Sequence, residues 1–283
     1  PRSDRKGKAM HSEPMVSGIP QMGYGTWNRP GAEASNGVRW ALEAGCRHID
    51  TAQGYDNEAD VARGIAEAGV PRQDIFITTK VKPDNFGPGK LVDSVRESLD
   101  KLQTDQVDLL LLHWPSPHTE IPLEVYMSQF AEAFDAGLAK RIGVSNFTRA
   151  LLDETRNLLG DRRITTNQVE CHVYMQNRPI IDYCEGLGMP ITAYAPLARG
   201  AVVGDAVLER IGKAHEATGE QVALAFLMAR GHIVIPSSGK KERIIANFAA
   251  RLLKLDAQDI KAIEALDKGM RLVNGPWCPV WDV

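Results

Sequence analysis

Short apolar runs alternate with longer amphipathic stretches along nearly the whole chain. The runs end near GYGTW (23–27), HIDTA (48–52), IFITTK (75–80), VDLLLLHW (107–114), KRIGVSN (140–146), TTNQVE (165–170), PITAYAP (190–196) and HIVIPS (232–237). Their length, their apolar content and the turn formers around them predict eight strands. Helical spacing fills the intervals at 31–44, 57–68, 89–101, 122–137, 148–159, 177–187, 205–230 and 240–250, the seventh being long enough for two helices. In DSVRESLDKL, Val95, Leu99 and Leu102 share one face with charges opposite, an amphipathic helix. Leu109 to Leu112 show no alternation, which predicts a strand buried on both faces, as parallel sheets require.

Eight strand-then-helix units predict an α/β fold of the (β/α)8 TIM-barrel type in a single domain, and 283 residues suit it. An open doubly wound sheet is the rival architecture. It usually carries GxGxxG after its first strand, and that motif is absent, as are GxxxxGK[ST], GxSxG and HExxH.

Charge and cysteine usage narrow the partners. The chain has 33 basic against 36 acidic residues and no basic run, which argues against nucleic acid. Cys46, Cys171, Cys184 and Cys278 are scattered, with neither a CxxC nor a disulfide-scaffold spacing, so free thiols and a cytoplasmic location are expected. No stretch approaches the roughly 20 apolar residues of a membrane helix, and the N-terminus lacks a signal-peptide core. The polar, basic start PRSDRKGKA leads us to expect a disordered leader or expression remnant over residues 1–13. The barrel should then run from 14 to 283 with a C-terminal tail covering the substrate. The sequence carries no signal for oligomeric state.

A barrel of this type places its active site at the C-terminal ends of its strands. Those ends carry Trp27, Asp50, Lys80, His113, Ser145 with Asn146, Gln168, Tyr194, and Ser237 with Ser238. Singly, each has an ordinary structural role open to it: Asp50 as a helix cap, Lys80 as a solvated strand end, His113 as a hydrogen-bonded core residue. Together they set an acid, an ammonium, an imidazole, amides and an aromatic on one rim, as a polar site in a barrel mouth would. A metal-dependent hydrolase needs several converging His and carboxylate ligands. Only His113 and Asp50 qualify, so no metal is expected.

GCRHIDTAQGYDNE (45–58), GLAKRIGVSNF (137–147) and IPSSGKKERIIAN (235–247), with NQVE and AYAPL between the last two, resemble the ordered signatures of the aldo-keto reductases. The resemblance runs from about residue 14 to the C-terminus. The IPSS variant and the ending RLVNGPWCPVWD are similar to the bacterial branch of 2,5-diketo-D-gluconate reductases that also act on methylglyoxal.

The resemblance implies NADPH-dependent reduction of small aldehydes or ketones. It assigns Tyr55 as proton donor, Lys80 as the ammonium that lowers the phenol pKa from its free value of about 10, Asp50 as the partner of Lys80, and His113 as the group orienting the substrate oxygen. For the cofactor it implies Ser145, Asn146 and Gln168 at the carboxamide, Tyr194 stacked on the ring, Thr26 nearby, and Pro196 and Leu197 beside the pyrophosphate. Ser237, Ser238, Lys240 and Arg243 fall at the 2′-phosphate, and Asn247 at the adenine. Ser237 stands where many relatives have Lys, and Ala246 replaces an acidic residue. NADPH preference with weakened discrimination against NADH is therefore expected, with Arg243 the main phosphate ligand and Lys240 compensating for the missing lysine. Tyr24, Trp27 and Trp114 should wall the substrate mouth under tail residues Trp277 and Trp281, while Trp40, mid-helix, reads as core. A non-catalytic nicotinamide-nucleotide-binding subunit is the alternative, and the intact Asp50, Tyr55, Lys80 and His113 argue against it.

Overall fold

Before the first expected strand the chain makes a hairpin, β1 (Met15–Val16) and β2 (Ile19–Pro20), in a computed structural model that describes residues 14–282. The leader expected over 1–13 lies outside the described residues. Ser17 (φ 50°) and Gly18 (φ 78°) turn the hairpin, two successive left-handed residues of the kind that match strand twist. The Ser-Gly pair was its signal in the sequence.

The eight expected strands follow as β3 (Tyr24–Gly25), β4 (His48–Asp50), β5 (Phe76–Val81), β6 (Leu109–Leu112), β7 (Ile142–Ser145), β8 (Ile164–Glu170), β9 (Ile191–Tyr194) and β10 (Ile233–Val234). They pair in parallel in chain order. The two ends of the sheet meet through Gly23 N–H to Val234 O (2.8 Å), Val234 N–H to Gln21 O (2.9 Å) and Gly25 N–H to Pro236 O (3.0 Å). The barrel is closed, so among the described residues its eight-stranded sheet has no free edge.

Around it stand α1 (Ala32–Glu43), α2 (Glu58–Ala68), α3 (Leu91–Leu102), α4 (Leu123–Asp135), α5 (Arg149–Leu159), α6 (Arg178–Gly186), α7 (Ala206–Ala214), α8 (Gly219–Ala229), α9 (Lys241–Ala249) and α10 (Ala257–Glu264). The 205–230 stretch is two helices, the second opened by a Thr218/Gln221 capping box. The sequence reading missed α10, although Asp256 and Asp259 cap its start reciprocally.

Strand periodicity of two sorts the side chains. Ile49, Ile77, Leu110, Leu112, Val144 and Val234 join the large core under the helices. Phe76, Leu109, Leu111 and Ile233 form a separate inner cluster, which Ile19 of the hairpin completes. All four leucines 109–112 are buried, as their lack of alternation predicted.

The same parity corrects one expectation. Gly25 faces the barrel mouth, so its neighbour Tyr24 points outward into the helix layer, where it is buried and donates its hydroxyl to Ser238 O (2.8 Å). A Cβ at Gly37 on α1 would stand 2.0 Å from that hydroxyl, so glycine is required there. Tyr24 is a core residue, not a wall of the mouth. Trp40 packs against the core as expected, half-buried on α1 under the Arg39 guanidinium.

Candidate active site

A cavity of about 920 Å³ opens at the C-terminal ends of the strands. Its floor is built by parity: His48 and Asp50 are two apart on β4, as are Thr78 and Lys80 on β5, so all four face the barrel axis. Lys80 and Asp50 are buried. Lys80 Nζ lies 2.5 Å from Asp50 Oδ1, 2.8 Å from Thr51 O and 3.3 Å from Tyr55 Oη. The second carboxylate oxygen of Asp50 accepts from Gln168 Nε2 at 2.8 Å.

Tyr55 ends a short 3₁₀ turn, Gln53–Tyr55. Gln53, which the sequence reading did not single out, fixes that turn. Its amide donates to Ser94 O and Ser98 Oγ on α3 and accepts from Lys82 N–H and Asn85 Nδ2. His113 leaves β6 with its N–H on Val81 O and meets the Tyr55 ring edge-on, centroids 5.4 Å apart.

The charges follow from burial and neighbours. Burial favours a neutral Lys80, but Asp50 and Tyr55 together outweigh it and hold the lysine above its ordinary value, an ammonium. Burial pushes the Tyr55 phenol up, and Lys80 pulls it down without reversing the shift. This corrects the expectation of a net lowered phenol, because desolvation is the larger effect. Tyr55 therefore keeps its proton at neutral pH. Burial, then Lys80, holds His113 well below the usual histidine range, so its ring is neutral.

Ser145, Asn146, Gln168 and Tyr194 line the same cavity. Tyr194 Oη donates to Asn146 Oδ1 (2.9 Å), Asn146 Nδ2 to Ser145 Oγ (3.0 Å) and His113 O (3.1 Å), and Ser145 Oγ to Gln168 O (2.8 Å). Asn146 sits at φ 63°, a conformation Asn tolerates better than most residues. Pro196 and Leu197 border the cavity, and Ser237, Ser238, Lys240, Arg243 and Asn247 line its far arm. Thr26 is an exception: it is fully buried with its hydroxyl on Asp50 O and forms no part of the wall.

Trp27, Trp114 and Trp277 line the mouth, whereas Trp281 stays behind Trp114, ring centroids 6.2 Å apart. The tail is anchored by Glu170, whose buried carboxylate accepts from Leu272 N–H (2.7 Å), Val273 N–H (2.9 Å) and His172 Nε2 (3.0 Å). Glu170, Arg29 and Arg199, which lies 5.0 Å over the Trp27 ring, escaped the sequence reading. Their roles depend on loops that meet only in the folded barrel. Among the described residues, no group of three or more His, Cys, Asp or Glu side chains could hold a metal ion, and no helix is long and apolar enough to cross a membrane.

The aldo/keto reductase family model matches residues 14–268. The chain belongs to that family. Methylglyoxal reductase DkgB of Escherichia coli O157:H7 is 46% identical over 265 residues, covering 93% of this chain and 99% of that protein. An aldo-keto reductase of Mycolicibacterium smegmatis is 37% identical over 91% of this chain and 93% of its own length. A crystal structure provisionally described as a 2,5-diketo-D-gluconic acid reductase B superposes with a TM-score of 0.90 at 38% identity, covering 94% of this chain and 95% of that one. This aldo/keto reductase thus shares family and fold with its relatives over almost their whole length.

Proposed function

We propose that the protein is an NADPH-dependent carbonyl reductase acting on small aldehydes or ketones of the methylglyoxal or 2,5-diketo-D-gluconate type. One observation carries the reading: the Tyr55 hydroxyl stands 3.3 Å from a buried ammonium that Asp50 keeps charged, beside a neutral His113, on the floor of the large cavity.

The donor set fits a nicotinamide dinucleotide. Gln168 donates from Nε2 to Asp50 and keeps Oε1 to accept, the Ser145 and Asn146 hydrogens are spent within the protein so that their oxygens can accept the carboxamide N–H, and Tyr194 offers a flat face for an aromatic ring. Arg243, Lys240 and Ser238 suit a phosphate at the far arm, with Asn247 beside them. NADPH held there would supply the hydride for a carbonyl carbon. The rest falls to this chain. His113 donates an N–H to the substrate oxygen and orients it. Tyr55 gives up its proton as negative charge grows on that oxygen, and Lys80 stabilises the phenolate left behind. Trp27, Trp114 and Trp277 present apolar surface to the substrate's small carbon skeleton.

Tyr55→Phe removes the proton donor at nearly constant volume. Turnover of methylglyoxal, followed by NADPH absorbance in the presence of a chelator, should fall by about 10²–10⁴-fold, while cofactor affinity by fluorescence titration changes little. Asp50→Asn should be the milder variant, since Asp50 acts through Lys80. An Asp50→Asn enzyme slower than Tyr55→Phe would show that the acid is misassigned.

A further inference from the structure

Ser237 leaves the far arm of the cavity without the cation that the family pattern puts at that position, and the fold brings another one to it. Arg29, on the loop between β3 and α1, lines the cavity and donates from Nε to Ser237 Oγ at 3.2 Å, across 208 residues of sequence. Its Nη1 meets Glu33 Oε2 at 3.2 Å. These bonds leave Nη2 to donate elsewhere, and a guanidinium offers five N–H groups in a fork suited to phosphate.

An arginine paired with a glutamate four residues on, at a helix start, would ordinarily mean little. Here the backbone of Arg29 is clamped from the catalytic side of the barrel. Buried Asn57, two residues beyond Tyr55, donates to Arg29 O (3.0 Å) and Thr26 O (2.9 Å) and accepts from Thr51 Oγ1 (3.0 Å). The guanidinium is the less exposed partner of its pair, with 24% of its side-chain surface accessible against 54% for Glu33. The cation is held at Ser237, and the anion is the more solvent-exposed partner. Lys240, the expected substitute for the missing lysine, is exposed.

Resting on the dinucleotide reading above, we infer that Arg29 grips a phosphate of the bound nucleotide at Ser237. Glu33 competes for the same guanidinium and weakens that grip. Arg29 is thus a nucleotide-affinity residue on a different loop from the phosphate residues expected from sequence.

Fluorescence titration of NADPH and NADH, at low and high salt, tests this on the native protein and on Arg29→Gln, Glu33→Gln and, for comparison, Arg243→Ala. Loss of one charge-assisted contact should weaken NADPH about tenfold in Arg29→Gln, with a shallower salt dependence because a screened charge contact is gone. Glu33→Gln should tighten NADPH about two- to threefold. A loss confined to NADPH identifies the 2′-phosphate as the group gripped, and an equal loss for NADH identifies the pyrophosphate. Native-like affinity in Arg29→Gln overturns the inference, as does weaker binding with an unchanged salt dependence, which would mean that the loop has merely shifted. If the native protein binds neither nucleotide, the dinucleotide reading itself fails before any variant is needed.

Discussion

Replacing Lys80 with Met separates what this lysine does for stability from what it does for chemistry. The substitution leaves Asp50 buried with Gln168 as its remaining side-chain donor. Breaking a buried pair by removing one partner costs about 3–5 kcal/mol, which lowers Tm by roughly 6–20 °C for a chain of this size. Chemically, the ammonium 3.3 Å from Tyr55 Oη is worth about 5 kcal/mol to a phenolate at an effective dielectric constant of about 20. Relief of the lysine's own desolvation offsets part of that, so kcat should fall by about 10³-fold. Cofactor affinity should stay within about threefold, since Lys80 bonds to Asp50, Thr51 and Tyr55 and not to the nucleotide residues. The double variant Asp50→Asn/Lys80→Met removes the orphaned anion as well. It should regain most of the lost Tm in a thermal melt and none of the lost turnover. Recovery of kcat together with Tm would refute the reasoning, because the loss in Lys80→Met would then be a folding defect.

The pH profile and the tail give two further tests. With His113 held neutral and the Tyr55 phenol above its usual value, kcat should be level from about pH 6 to about pH 9; an acid limb near 6.5 that vanishes in His113→Gln would contradict the assigned charge states. Lys80 is raised above its unfolded value of 10.5, so the stability it contributes is fully present below that pH and is lost only as alkali takes the pH through the folded value. Glu170→Ala should free residues 271–282, seen as faster tryptic cleavage after Arg271 and a KM about tenfold higher at unchanged NADPH affinity. Burial alone would raise the Glu170 carboxyl, but His172 and the backbone N–H groups of Leu272 and Val273 more than reverse that and hold it below its ordinary 4.5. The anchor is therefore complete above that pH and released as pH falls through the depressed folded value, which tail proteolysis in acid can follow with an acid-active protease.

Much of the architecture was legible because it rests on local periodicity. Unalternating Leu109 to Leu112 predicted a strand buried on both faces, the long 205–230 stretch allowed two helices, and polar residues at strand ends marked the rim where Asp50, Lys80 and His113 now meet. Parity within β3 was equally local, and applying it would have sent Tyr24 outward beside Gly25. What the sequence could not contain is which distant groups become neighbours. Closing β3 against β10 joins residues 21–25 to 234–236, and that closure carries Arg29 to Ser237 and the Tyr24 hydroxyl to Ser238 O. The protonation of Tyr55 was undecidable for the same reason. Its lysine neighbour can be named from a motif, but the balance between that charge and desolvation depends on how much water the folded barrel excludes, and only the tertiary structure sets that.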